Sequence, residues 1–92
     1  MSILSDEMVC YICGSTWQLE KHHVFGASNR NKSEEDGCTC YLCRYHHTGS
    51  SMSVHMNSQL AWDLKRKTQL KWMETYNKTE EDFRRRYGRS YL

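Results

Sequence analysis

Cys10-Tyr-Ile-Cys13-Gly14 places two thiols two residues apart, and Cys43-Arg-Tyr-His46 repeats the spacing with an imidazole in the last position. Two such knuckles fit a structural tetrahedral zinc site. Gly14 supplies the backbone freedom that a tight turn beneath a metal needs. The staple matters because the chain has only 92 residues, of which 38% are hydrophobic. A domain of that size buries too little surface to rely on its core alone. Cys40-x2-Cys43 has the same spacing, so Cys40 competes with His46 for the fourth position. Cys38 and Cys40 alternate with Leu42, which suits small buried hydrophobes. The pair at the end of a strand and the start of a helix, Cys43 and His46, is the expected choice. Disulfides are the weaker reading. Met1–Val9 carries Asp6 and Glu7 and lacks the pattern of a secretory signal. The expected compartment is therefore the reducing cytoplasm, where disulfides rarely persist, and five cysteines cannot all pair.

No run approaches the roughly 20 apolar residues that span a bilayer, so no membrane partner is expected. Residues 1–64 hold four basic and seven acidic side chains, whereas residues 65–92 hold nine and four. A basic end beside a Cys/His-rich front points to a polyanion. Lys65, Arg66, Lys67, Lys71, Arg84, Arg85 and Arg86 are the candidate phosphate contacts.

The chain reads as one α+β domain. Residues 10–56 form the zinc-bound part and residues 57–92 a helical, basic part. Strands are expected over 20–25 and 38–43, the second on its alternating pattern. Between them lies a polar loop, with one helical turn at 33–36 capped by Ser33. A short helix follows over 44–48. Leu60, Leu64, Leu70, Met73 and Tyr76 predict an amphipathic helix over about 57–77. Thr79 and Asp82 form a capping box for a last helix over about 80–87, closed by Gly88. Trp62 and Trp72 are expected in the helix core in preference to stacking on bases.

Four histidines remain: His22, His23, His47 and His55. Neighbours on a strand point to opposite faces, so His22 and His23 are expected to have different jobs. The order of Cys-x2-Cys, His22-His23-Val24-Phe25-Gly26, Arg30, Ser33, Gly37, Leu42-Cys43, His46-His47 and Val54-His55-Met56-Asn57 resembles the zinc-containing ββα-metal, or HNH, nucleases. More narrowly it is similar to the RecA-dependent phage recombination nucleases. Leu64-Lys65 and Gln69 recur there too, and the likeness spans roughly residues 10–76. The resemblance implies a treble-clef-like ββα-metal core followed by C-terminal helices. It implies a DNA endonuclease with structural Zn2+ and a catalytic divalent cation such as Mg2+. His23 would be the general base, a natural role for imidazole near neutral pH. His22, His47 and His55 would hold the catalytic metal, and Arg30 would contact a phosphate. It also implies a RecA-type recombinase filament as partner. The namesake asparagine, usual just ahead of Leu-Cys, is missing from Gly37-Cys38-Thr39-Cys40. That asparagine orients the histidine loop through backbone hydrogen bonds, and Ser33 or a loop asparagine is the candidate substitute. The runner-up is a non-catalytic zinc module that binds DNA or protein.

Overall fold

A computed structural model describes all 92 residues. Strands β1 (Leu19–His23) and β2 (Thr39–Cys43) pair antiparallel, with Leu19 opposite Cys43 and His22 opposite Cys40. After β1 come a single 3-10 turn (Ala27–Asn29) and helix α1 (Arg30–Asp36). After β2 come the one-turn helix α2 (Arg44–His47), the long helix α3 (Ser58–Tyr76) and α4 (Glu80–Tyr87). No helix is long and apolar enough to cross a membrane.

β1 ends two residues before the expected boundary. Val24 and Phe25 leave the strand and become core residues, both almost fully buried. Val24 keeps one sheet-like bond, its N–H donating to the Cys38 carbonyl at 3.0 Å. Phe25 is held differently. Its N–H donates to Ser33 Oγ at 3.0 Å, and Ser33 Oγ donates to the Phe25 carbonyl at 2.7 Å. Ser33 is therefore no helix cap. α1 starts three residues earlier, and the buried hydroxyl satisfies both polar groups of a backbone unit on another segment, as buried polar groups require. α1 stops at Gly37, whose φ of +72° is costly for any side chain. Ile3 N–H donates to the Gly37 carbonyl at 2.9 Å, pinning the N-terminal arm there.

α3 begins one residue inside its expected start, with Asn57 Oδ1 accepting the Leu60 N–H at 3.0 Å. Its buried line is Leu64, Thr68, Gln69 and Trp72. This corrects the expected stripe: Leu70 and Tyr76 are exposed. Six residues after Leu64, Leu70 comes out about 240° around the axis, on another face. The polar members of the buried line are satisfied internally. Thr68 Oγ1 donates to the Leu64 carbonyl at 2.7 Å. Gln69 donates to Ser90 Oγ at 2.9 Å and accepts the Tyr91 N–H at 2.7 Å.

α4 has the expected capping box, between Thr79 and Asp82, and closes on Gly88 at φ +93°. It buries Phe83 and Tyr87. These rings meet Phe25 at 5.2 and 4.7 Å between centroids, and Trp72 meets Phe83 edge-on at 5.3 Å. Aromatic pairs at such spacings contribute beyond their buried area. Around this cluster, Asp36 accepts from Trp72 Nε1 at 2.8 Å, Tyr87 Oη at 2.7 Å and Arg86 Nη2 at 2.8 Å. The helical half is thus tied to the C-terminal end of α1. The cysteines outside the knuckles, Cys38 and Cys40, are core residues.

Candidate functional site

The first knuckle is a tight turn: Gly14 N–H donates to the Cys10 carbonyl at 2.8 Å and Cys10 N–H to the Ser15 carbonyl at 2.8 Å. Gly14 takes φ +78°. Tyr11 N–H donates to the Tyr41 carbonyl at 2.8 Å, which docks the turn against β2. Cys43 ends β2 and His46 lies one turn later on α2. Cys13 Sγ lies 3.8 Å from Cys43 Sγ, and His46 Nδ1 lies 3.4 Å from Cys43 Sγ and 3.9 Å from Cys10 Sγ. Zinc–sulfur bonds of about 2.3 Å at tetrahedral angles put two sulfurs about 3.8 Å apart. The four donors therefore fit a tetrahedral ion such as zinc. Burial pushes the Cys10 thiol up, but the backbone N–H groups of Cys43, Cys13 and Ile12 outweigh it and bring it down to about 6. That favours the thiolate, the form that binds metal. Cys40 stands outside the set, and burial pushes its thiol up to about 12. The fourth position belongs to His46.

The second cluster is His22, His47 and His55, whose nearest ring nitrogens lie within 4.8 Å of one another. The His22 ring lies 5.1 Å from His47 and 5.6 Å from His55 between centroids. His47 Nε2 and His55 Nε2 are 3.2 Å apart. The loop after α2 is drawn back onto that helix, Val54 N–H donating to the His46 carbonyl at 2.8 Å and His55 N–H to the His47 carbonyl at 3.3 Å. That return delivers His55 to its partners. Glu20 Oε1 lies 2.9 Å from His47 Nδ1. A carboxylate there keeps the proton on Nδ1 and turns the Nε2 lone pair toward the cluster. Burial, then the neighbouring His47 and His55, depress His22 to about 3. Burial also lowers His55. Three imidazoles packed this closely could hold a metal ion. Three of them leave coordination positions open for water or substrate. An all-imidazole set suits zinc, iron, nickel or copper better than Mg2+, which prefers oxygen ligands.

His23 parts from His22, as neighbours on a strand do. Its Nε2 meets Glu34 Oε2 at 2.9 Å, and Glu34 Oε1 accepts from Lys21 Nζ at 2.8 Å. Lys21 first, then the His23 hydrogen bond, hold the Glu34 carboxyl below its usual range. With the proton on Nε2, the lone pair is on Nδ1. Because β1 ends at His23, both neighbouring rings still border one cleft. This hollow of about 250 Å³ is lined by His22, His23, His47, His55, Lys21 and Arg30. Arg30 opens α1 and is exposed at its mouth.

Of the seven basic candidates, Lys65 alone borders the histidines, in a hollow shared with His22, His23 and His55. Lys67 and Lys71 line a separate groove with Ile3, Leu4 and Leu70. Arg66 is exposed on α3. Arg84 pairs with Glu80 at 3.4 Å and Arg85 with Glu81 at 3.9 Å. Arg86 is taken up by Asp36 and by Glu35 at 3.0 Å, so it is a strut between α4 and α1. Sequence reasoning missed Glu20 and Glu34. Glu20 lies two residues ahead of His22, and Glu34 one residue after Ser33. Only the tertiary fold brings them to the rings. Trp62, expected in the helix core, is instead 39% exposed. No family model, curated protein or solved structure matches the chain.

Proposed function

We propose that the chain is a metal-dependent DNA endonuclease of the ββα-metal type, hydrolysing phosphodiester bonds in recombination or related DNA processing in a phage or bacterial cytoplasm. The observation that carries this reading is three imidazoles converging beside a fourth, His23, whose Nε2 is held by a carboxylate. Cys10, Cys13, Cys43 and His46 hold structural Zn2+. His22, His47 and His55 hold the catalytic divalent cation. That cation, when bound, supplies Lewis-acid charge for the phosphate and the leaving 3′ oxygen. His23 Nδ1 takes the proton of the attacking water. Glu34 keeps the opposite nitrogen protonated and the ring oriented. Arg30 at the cleft mouth binds a phosphate oxygen. Ser33, through its two bonds to Phe25, supplies the backbone pin that the missing asparagine would give. The resemblance to RecA-dependent nucleases adds a recombinase filament as the partner that directs the enzyme to DNA.

The test is plasmid and single-strand cleavage with Mg2+, Mn2+, Ni2+ or Zn2+, with and without a RecA filament. His23→Ala is expected to lower the rate by about a hundredfold or more, the scale of a lost general base. Cleavage at the parent rate by His23→Ala sinks the base assignment. One bound zinc and no cleavage under any of these conditions favours a non-catalytic zinc module.

A further inference from the structure

Trp62 lies on α3, one residue after Ala61, which lines the hollow beside the histidines. Its indole meets the Tyr91 ring edge-on at 5.1 Å between centroids. Tyr91 is fixed from within: its ring stacks on buried Phe25 at 5.6 Å, and Gln69 accepts its N–H. Two cations are interleaved with these rings. The Arg89 guanidinium lies 5.2 Å from the Trp62 centroid and 5.0 Å from that of Tyr91. Lys65 Nζ lies 5.6 Å from the Tyr91 centroid. Neither Lys65 nor Arg89 is paired with a carboxylate. Lys65 also lines the hollow that His22, His23 and His55 share. It therefore belongs to both places.

An exposed indole backed by a partly buried phenol ring, with unpaired cations between them, suits a flexible polyanion that carries flat rings of its own. A duplex keeps its base faces stacked inside, so an indole can meet a base face only on a strand that is unpaired. We propose that Trp62, Tyr91, Lys65 and Arg89 form a stacking platform for unpaired DNA. The base stacks on Trp62, and Lys65 leads the adjoining phosphate toward the histidine cleft. Strand binding stands on the platform alone. That the bound strand is also the substrate rests on the nuclease reading above.

The experiment measures binding by the full chain, loaded with zinc and without a second metal. The probes are a labelled oligothymidylate and a hairpin duplex of equal length, followed by fluorescence anisotropy. Trp62→Ala is expected to weaken the single strand about tenfold, as loss of one stacked base does, and the duplex by less than about twofold. Trp62→Phe is expected to keep most of the affinity. The oligothymidylate should quench part of the parent's tryptophan emission, and Trp62→Phe should lose that part while still binding. Unchanged single-strand binding by Trp62→Ala overturns the proposal, as does an equal loss for both DNA forms. A lowered melting temperature with no change in strand preference also overturns it, because Trp62, Arg89 and Tyr91 would then serve only to clasp the tail to α3. Strand binding through Trp62 without any DNA cleavage leaves the platform standing and removes the nuclease reading. Cleavage with no dependence on Trp62 leaves the nuclease reading standing and overturns the claim that the strand on the platform is its substrate.

Discussion

The two donor clusters share the β-pair and α2, yet they are built for different ends. In the first, three thiols and one imidazole supply four donors, and Cys10 and Cys43 are buried. Nothing is left for a substrate to occupy. In the second, three imidazoles supply only three donors, and an acid stands behind one of them. α2 contributes to both through consecutive residues, His46 to the closed cluster and His47 to the open one. The difference teaches how one turn of helix serves stability and chemistry together. Adjacent side chains leave a helix about 100° apart, so a single turn presents one ring to each cluster.

Breaking the closed cluster is expected to have the largest effect. Cys43→Ser should abolish the cooperative fold at 25 °C, since structural zinc in small domains contributes on the order of 10 kcal/mol. Circular dichroism and zinc analysis check it, and His47→Ala should leave both signals in place. Next comes the acid behind the open cluster. Glu20→Ala should weaken binding of the second metal by about 10- to 100-fold while the zinc stays bound. Calorimetric titration of zinc-loaded protein measures this, and an equal loss of zinc would erase the distinction between the clusters. Glu34→Ala should lower kcat about tenfold with KM little changed, and Glu34→Gln, which keeps an acceptor for Nε2–H, should recover part of it. Loss of the second metal in Glu34→Ala would instead place Glu34 with the open cluster.

The smallest effect is with pH, in zinc-loaded protein free of the second metal. His22 is depressed to about 3 by burial. The unfolded chain takes a proton there below about 6.5, and the folded chain refuses it until far lower pH. Stability is therefore full above about 6.5 and falls on acidification, by about 1 kcal/mol between pH 7 and 5.5. Urea melts at the two pH values check it, with His22→Gln expected to flatten the slope.

What was legible in the sequence was local. The knuckles declare themselves by spacing, and α4 by Thr79, Asp82 and Gly88, because each device acts within a few residues. The start of α1 was not legible. Asn29 makes no side-chain cap bond, and a 3-10 turn leads straight into the helix. Ser33 read as a cap because its partner, Phe25, lies on another segment. Thr68 and Gln69 interrupt any apolar stripe, and Gln69 can be buried only because residues 90 and 91 return to meet it. The histidines could be sorted into kinds from their order, but their carboxylate partners could not. Which acid reaches which ring depends on the sheet register and on where α1 comes to rest.

Asp36 gives the molecule a direction in time. The last donor of the closed cluster, His46, precedes Arg86 and Tyr87 in the chain. Synthesis proceeds from the N-terminus, so a growing chain holds every thiol and imidazole of the closed cluster before α4 is made. α1 carries Arg30, Ser33 and Glu34, and its last carboxylate then still lacks Arg86 and Tyr87. A chain cut short before α4 would keep all four donors of the closed cluster and lose Arg86 and Tyr87, leaving Trp72 and Tyr76 to anchor the helix behind His23.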